Sequence, residues 1–447
     1  MILIPFLVGF NSIIYRRIRS SSIAELEDLE PLSLTGVERI LIVAPHPDDE
    51  SLGAAGLIQA SRDMGISVRV VVVTNGEGQR LGPMALTQRI RLGKTDFVAL
   101  GERRQLETVA AMKQLGVEPE CITFLGYPDR SLYKLWLSDW REGIPLRSSY
   151  TRADYSPYAS TYNPQSVYIG WHVLQDLQTL MAVYQPDFIV LPHPSDEHPD
   201  HRAVANFVRM AVSLESQGKL DFQPQLWAYL IHYGSYPHQP RNPKSKALLP
   251  PSRLTSHQNK WARLDLNTDQ LCNKDLAIRR YGSQVLLLGN FLPSFARKNE
   301  LFTTLPIIEI STVAMSMVPS HETGVKEQPK LDGLETERDR RWILGGADLL
   351  GWRVARLGKI LYLTLQTRGR LLSRLRYRIL LKFSDGSTRV LTRIDPEVTT
   401  KSTSLTVKIN LSEIPDPPLL AFAGEVSQGV ILDRTGWYFL HLYRWWD

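Results

Sequence analysis

Apolar positions along the chain follow two different patterns. From Val37, short runs of consecutive apolar residues alternate with stretches of helical spacing. "VERILIVAP" predicts a strand bounded by polar loops, and "ESLGAAGLIQASRDMG" a helix stopped by Gly65. "SVRVVVVTNGEG" is a second strand, ended by Asn75-Gly76. A helix near Ala99 to Leu115, the strand "CITFLGYPD", a helix over Val167 to Tyr184 and the strand "DFIVLPHP" come next. Another helix starts after Pro199, and "QLWAYLIHYGS" makes a further strand. Strands that are apolar throughout and alternate with helices predict an α/β fold, with a Rossmann-like, mostly parallel sheet covered by helices on both faces.

Beyond a polar stretch from Ser320 to Arg341 the pattern changes to period-two alternation: "ILYLTLQTRG", "LRYRILLKFSDGSTRVLTRID", "SLTVKINL", "GWYFLHLYRWW". Asp385-Gly386 between alternating runs signals a hairpin, so this part predicts a small antiparallel β domain. The resulting plan is an apolar and basic segment over 1–36, an α/β domain over 37–300, a linker over 301–341 and a β-rich accessory domain over 342–447. A length of 447 residues fits two or three domains. Two stretches resist assignment. Gly126 to Ser166 has no period but carries Tyr127, Tyr133, Trp136, Trp140, Tyr150, Tyr155, Tyr158 and Tyr162. A loop of this length is functional or disordered, and its aromatic content argues for order. From Ser235, "SYPHQPRNPKSKALLPPSR" is rich in proline and basic residues.

Composition narrows the class. Charged residues at 22% exclude wholesale disorder, and a formal net charge of +6 permits an anionic partner such as a phospholipid surface without requiring one. A nucleic-acid partner is not expected. Two distant cysteines, Cys121 and Cys272, with no CxxC pair, argue against a thiolate zinc site or a disulfide framework. "MILIPFLVGFNSII" is followed, not preceded, by Arg16, Arg17 and Arg19, the wrong polarity for a secretory signal. It is also short of the roughly 20 residues a spanning helix needs. The expectation is a cytoplasmic protein whose N-terminus packs on the fold or touches a membrane surface.

Two clusters carry chemistry. "PHPDDE" places His46, Asp48, Asp49 and Glu50 just after the first strand, and "LPHPSDEHPDH" places His193, His198, Asp200 and His201 after the fourth. Ligands in open parallel sheets sit beyond the C-terminal strand ends, where both clusters fall. A helix cap, with Asp49 or Ser51 capping and Glu50 in the first turn, explains one acid of the first cluster but neither His46 nor a second aspartate. Together the clusters offer His46, Asp49 and His201 as a two-histidine, one-carboxylate set, which suits catalytic zinc; the same ligand types serve Fe(II). Asp48 would then be free to take a proton. His198 would stabilise an oxyanion or protonate a leaving amine, with Asp200 holding its other nitrogen.

"PHPDDE" with a later "HPDH" resembles the LmbE-like, or PIG-L, family of zinc-dependent N-acetylglucosaminide deacetylases. "TNGEG", "RRQLETVAAMKQLGV", "LGYPD" and "KDLAIRRYGSQ" agree, over roughly Glu38 to Phe295. The resemblance implies zinc on His46, Asp49 and His201, Asp48 as general base, His198 as the acid or oxyanion histidine and Asp200 as its partner. It implies substrate contacts for Arg104 and Asp129, and makes His193 a supporting candidate. The implied activity is removal of an N-acetyl group from an amino sugar, free or linked to a lipid or glycan. Pro45 stands where many relatives carry alanine. The aromatic loop and the β domain lie outside the minimal family fold, so they bear on the substrate; a carbohydrate-binding role for the β domain and sugar stacking by the loop are expectations. The alternatives are a metal-dependent amidase on a non-sugar substrate, and a membrane-docking or carbohydrate-binding protein with a vestigial site.

Overall fold

A computed structural model describes residues 29–442 except 88–90, 216–222, 238–242, 256–259, 306–307, 310–344, 358 and 417–418. The apolar run with its arginines, most of the expected linker and the terminal "YRWWD" lie outside the described residues. Among the described residues no helix is long and apolar enough to cross a membrane.

The large sheet contains β1 (Glu30–Pro31), β2 (Arg39–Ala44), β3 (Ser67–Thr74), β4 (Ile122–Tyr127), β5 (Phe188–Pro192), β6 (Gln225–Tyr229), β7 (Trp261–Asp265) and β8 (Asn299–Thr304). Their order is β1-β7-β8-β6-β5-β2-β3-β4. Strands β6, β5, β2, β3 and β4 form a continuous parallel block, while β8 runs antiparallel to both β6 and β7. The helices are α1 (Asp49–Asp63), α2 (Leu81–Thr87), α3 (Lys94–Gln114), α4 (Leu132–Leu137), α5 (Gly170–Tyr184), α6 (Pro199–Glu215), α7 (Thr268–Arg280) and α8 (Gly282–Leu288).

The pleat sends alternate side chains of each strand into two separate cores. Ile40, Ile42, Val70 and Val72 pack with Leu52, Leu57 and Ile58 of α1 and Met112 of α3. Leu41, Val43, Val71 and Val73 pack with Leu174 and Leu177 of α5 and Val204, Phe207 and Val208 of α6. This is why the strands read as unbroken apolar runs. The chain order reverses between β2 and β5: β3 and β4 extend the sheet one way, β5 and β6 the other. The two chemistry-bearing loops leave the C-terminal ends of these two adjacent strands, so the topology brings them face to face.

Residues 301–304, expected in the linker, complete β8. The short strand β9 (Ile308–Glu309) then pairs in parallel with β18 (Tyr438–His441) of a β-sandwich. The other sandwich strands are β10 (Leu349–Leu357), β11 (Ile360–Thr367), β12 (Arg376–Phe383), β13 (Thr388–Thr392), β14 (Val398–Lys401), β15 (Ser404–Asn410), β16 (Leu419–Gln428) and β17 (Val430–Arg434). One sheet runs β10-β11-β15-β14; the other runs β13-β12-β16-β18-β9, with β17 on β16. Gly386, at φ +81°, turns the β12–β13 hairpin.

The second sheet is buried on both faces. Ile379, Leu381, Leu420, Phe422 and Tyr438 fill the sandwich core. Their alternates Leu380, Leu419, Ala421, Ala423 and Phe439 enter the core built on α5 and α6 of the α/β domain. Trp136 of α4 meets Trp437 edge-on, ring centroids 5.2 Å apart. Arg209 of α6 donates to the Trp437 carbonyl (2.8 Å) and lies 4.3 Å over the Phe439 ring. Trp437 and Phe439, two aromatics of the terminal "GWYFLHLYRWW", are thus enclosed between the two halves.

Candidate metal and catalytic centre

The loop after β2 is pinned where Thr74 donates to the Pro45 carbonyl through its amide (2.9 Å) and its hydroxyl (3.0 Å). Helix α1 then starts at Asp49, with Asp48 as the residue before it. Neither Asp49 nor Ser51 caps it: the Ser51 hydroxyl turns to Glu50 and Tyr281. Asp48 makes no side-chain cap either, and its backbone is held at φ 121°, a left-handed region costly for a residue with a Cβ. Arg104 of α3 holds this conformation. Its guanidinium donates to the Gly76 carbonyl (2.7 Å), the Pro47 carbonyl (2.5 Å) and Asp48 Oδ2 (3.1 Å). Arg104 is buried and is not the exposed helix charge that its sequence position allows. A side chain at Gly76 would collide with that guanidinium.

His46, Asp49 and His201 present three donor atoms to one point. Asp49 Oδ2 lies 3.1 Å from His46 Nδ1 and 3.1 Å from His201 Nε2, and the two nitrogens are 3.3 Å apart. Three ligands about 2.0–2.1 Å from a tetrahedral divalent ion stand roughly 3.3 Å from one another, so the triangle fits such an ion. Each histidine is oriented from behind by carboxylate. His46 Nε2 faces Asp129 Oδ1 (3.2 Å) and Asp200 Oδ2 (3.4 Å); His201 Nδ1 faces Asp196 Oδ2 (3.1 Å). With a cation in the triangle, that arrangement would leave the ring protons on the outer nitrogens and turn the lone pairs toward the ion. The donor set thus suits zinc or another borderline divalent metal.

Electrostatics follow from burial and crowding. Burial disfavours the imidazolium of His46, but hydrogen bonds to Asp129, Asp200 and Asp49 outweigh it and hold the group well above its ordinary value. His201 is likewise raised, to about 9, by Asp196 and Asp49 against burial. Burial would raise the Asp49 carboxyl, yet His201 and His46 hold it well below the carboxylate range. Asp48 is different: burial pushes it up to about 8, opposed chiefly by Arg104 and reinforced by Asp49 and Glu50. A cation in the triangle adds a further opposing charge. The two adjacent aspartates are therefore in opposite electrostatic states.

His198 stands over the His46–His201 edge, with ring centroids 4.7 Å and 5.1 Å away. Its Nδ1 accepts the Asp200 amide (3.3 Å), which leaves Nε2 as the protonated nitrogen of a neutral ring. Burial and the charges of His46 and His201 pull it well below its ordinary value. The Asp200 carboxylate does not hold His198 as the sequence reading expected. It accepts the Arg130 amide (2.6 Å) and the Leu132 amide (3.0 Å), and faces His46. Asp129 is also turned inward: Oδ1 meets His46 and Oδ2 accepts the Gly78 amide (2.7 Å). His193 lies apart from the triangle, stacked on Trp261 at 5.7 Å.

Sequence reasoning missed three groups. Asp196 orients His201 and also accepts the Ile231 and His232 amides (3.1 and 2.9 Å). It sits within the quoted "SDEHPDH", five residues before His201, so only its role was hidden. His232, just beyond the C-terminal end of β6, has a nitrogen within 4.8 Å of the Asp49 and His201 ligand atoms, and its ring stacks on Phe291 at 5.3 Å. The strand-end rule would have found it. Glu77 accepts the Asp129 amide (3.1 Å), and burial next to Asp129 raises its carboxyl to about 8.

Comparisons with known proteins bear on the same region. Residues 41–212 match the family described as PIG-L, GlcNAc-PI de-N-acetylase. The chain is 34% identical over 125 residues to the 1D-myo-inositol 2-acetamido-2-deoxy-alpha-D-glucopyranoside deacetylase of Kineococcus radiotolerans, covering 26% of this chain and 32% of that protein. It is 33% identical over 96 residues to the probable N-acetyl-alpha-D-glucosaminyl L-malate deacetylase 2 of Bacillus subtilis, covering 21% and 39%. The chain thus spans about a third of the length of the first curated relatives it matches. Among solved structures, the N,N'-diacetylchitobiose deacetylase of Pyrococcus horikoshii is similar at 21% identity and a TM-score of 0.39, over 61% of this chain and 85% of that one.

Proposed function

We propose, on the premise that residues 41–212 form a PIG-L family domain, that this chain is a metal-dependent deacetylase of an N-acetylglucosamine-containing substrate. The observation that carries this reading is the donor triangle of His46, Asp49 and His201, with the unligated acid Asp48 beside it. Zinc is the preferred ion, and His46, Asp49 and His201 are the residues that would hold it. When bound, a divalent ion would make a water more acidic and polarise the acetyl carbonyl.

The remaining chemistry belongs to the chain. Asp48 takes a proton from the attacking water as its oxygen bonds to the carbonyl carbon. The neutral His198, with its proton on Nε2, donates a hydrogen bond toward the oxygen that gains charge. Asp48 returns its proton to the amide nitrogen as the carbon–nitrogen bond breaks, giving acetic acid and an amine, and the acid proton passes to the amine to leave acetate and an ammonium group. Arg104 fixes the direction of Asp48 and so acts as a positioning residue. Asp129 and Asp200 fix His46. Both candidates for sugar contact, Arg104 and Asp129, fit these supporting roles better, since both terminal nitrogens of Arg104 and both carboxylate oxygens of Asp129 face protein groups.

The test is acetate release by the full chain, with and without added Zn2+, from a panel of N-acetylated amino sugars, lipid-linked and free, and N-acetylated non-sugar amides. Asp48→Asn should lower turnover by about a thousandfold while binding the same amount of metal. Equal turnover by Asp48→Asn and the parent, or no metal-dependent acetate from any amino sugar, overturns the reading.

A further inference from the structure

Two amides inside α1 donate to a side chain from outside the helix. A regular ladder gives the amides of Gly56 and Leu57 to the carbonyls of Leu52 and Gly53. Both amides also face the Glu300 carboxylate of β8: Gly56 N donates to Oε1 (2.7 Å) and Leu57 N to Oε2 (2.9 Å). The Leu52 carbonyl accepts Lys274 Nζ of α7 (2.8 Å), and the same ammonium meets Glu300 Oε1 at 2.6 Å. Glycine makes this entry possible, since a Cβ on Gly56 would collide with Leu266 and stand 3.0 Å from Glu300 Cδ. Lys274 and Glu300 are both buried, where either charge without the other would be costly.

At the C-terminal end of α7, Tyr281 reaches the first turn of α1. Its hydroxyl donates to Glu50 Oε1 and lies 3.2 Å from the Ser51 hydroxyl. Glu50 Oε2 in turn accepts the Asp48 amide (3.2 Å). Asp48 is therefore gripped from two sides. Arg104 holds its carboxylate, and Glu50, backed by Tyr281, holds its amide. The first turn of a helix has amides without intrahelical partners, and α1 has no side-chain cap to hold them. The groups from α7 and β8 flank this turn: Tyr281 at Glu50 and Ser51, Lys274 at the Leu52 carbonyl and Glu300 just beyond. Asp48 and Asp49 lie at its start.

We propose that Lys274, Glu300 and Tyr281 are positioning residues of the catalytic centre, which fix the first turn of α1 so that Asp49 meets the ion and Asp48 the attacking water. All three lie beyond residues 41–212, the segment that matches the family. Each acts through α1: Glu300 and Lys274 through backbone amides and a carbonyl, Tyr281 through Glu50. A carboxylate set against helix amides also complements their partial positive charge. The effect of these residues on turnover rests on the deacetylase reading, whereas their effect on the metal centre is measurable without substrate.

The test uses the full chain loaded with Co2+, whose visible bands report the geometry of its ligands. Lys274→Met alone would leave the Glu300 charge buried and unpaired, so it is combined with Glu300→Gln, which removes both charges. Tyr281→Phe removes one hydroxyl and keeps the ring. Trp437→Ala, at the sandwich contact, is the control for lost stability away from α1. The double variant should bind Co2+ about tenfold more weakly, with shifted bands. Its kcat should fall roughly 10- to 100-fold at little-changed KM. Tyr281→Phe should lower kcat about tenfold at unchanged KM, and it decides alone if the double variant does not fold. Trp437→Ala should leave bands and kcat as in the parent. Parent-like kcat in Tyr281→Phe, parent-like bands in the double variant, or the same changes in Trp437→Ala overturn the positioning role. Shifted bands in the double variant, with no acetate released by the parent from any amino sugar, keep that role at the metal centre and overturn the deacetylase reading instead.

Discussion

Arg104 grips Asp48 at two points: Nη2 lies 3.1 Å from the Asp48 carboxylate and 2.5 Å from the carbonyl of Pro47, which precedes it in the chain. A lysine radiates its three donors from one atom and cannot reproduce the two separate nitrogens with which the guanidinium reaches these two acceptors and the Gly76 carbonyl. Arg104→Lys is expected to lower kcat by roughly 10- to 100-fold, with KM and bound metal little changed. Steady-state kinetics with metal analysis check this. A raised KM at unchanged kcat would instead make Arg104 a substrate contact.

Asp196 is not a member of the donor triangle, yet it sets the ring of His201 from behind. Asp196→Asn keeps the shape and loses the charge. Metal affinity should fall roughly 10- to 100-fold, as for other carboxylates behind metal-binding histidines. Competition against a chelating dye measures this directly, and unchanged affinity would remove Asp196 from the metal site.

Glu77 gives the protein a pH-dependent weakness. Its folded value, about 8, lies above the ordinary 4.5, because burial and Asp129 disfavour its charge. The unfolded chain ionises it first, so its contribution is complete below about 4.5 and is lost as the pH rises through 8. Glu77→Gln mimics the neutral acid. Its melting temperature should fall less than the parent's between pH 5.5 and pH 8, and parallel curves for the two proteins would refute this.

Trp437 closes the contact between the sandwich and α4. Trp437→Ala leaves a cavity beside Trp136, which should cost about 3–5 kcal/mol. Urea unfolding of the parent and the variant reads this value. An unchanged midpoint would mean that the sandwich contributes nothing to the stability of the α/β half.

Much of the centre was legible because its chemistry is local in sequence. His46, Asp48 and Asp49 share one loop, and His198, Asp200 and His201 share another. The strand pattern placed both loops at one sheet edge. Orientation was not legible. Whether Asp200 turns to His198 or to His46 depends on the amides of Arg130 and Leu132, which come from a different loop. Strands β7 and β8 were missed because "WARLD" and "NELFTT" carry too few apolar residues to show a period. The alternation led to the expectation of a small antiparallel β domain, but "RYRILLKF" and "LLAFAGEV" are apolar beyond alternation, and that excess was the trace of a second buried face.

That second buried face has an evolutionary consequence. Helix α6 carries Asp200 and His201 in its first turn, and Phe207 and Arg209 further along, against the sandwich. A lineage that lost or exchanged the C-terminal half would bare Trp136, Trp140 and Phe207 to water in a single step. The two halves are therefore expected to be inherited as a pair, with substitutions on β12, β16 and β18 tracking those on α4 and α6.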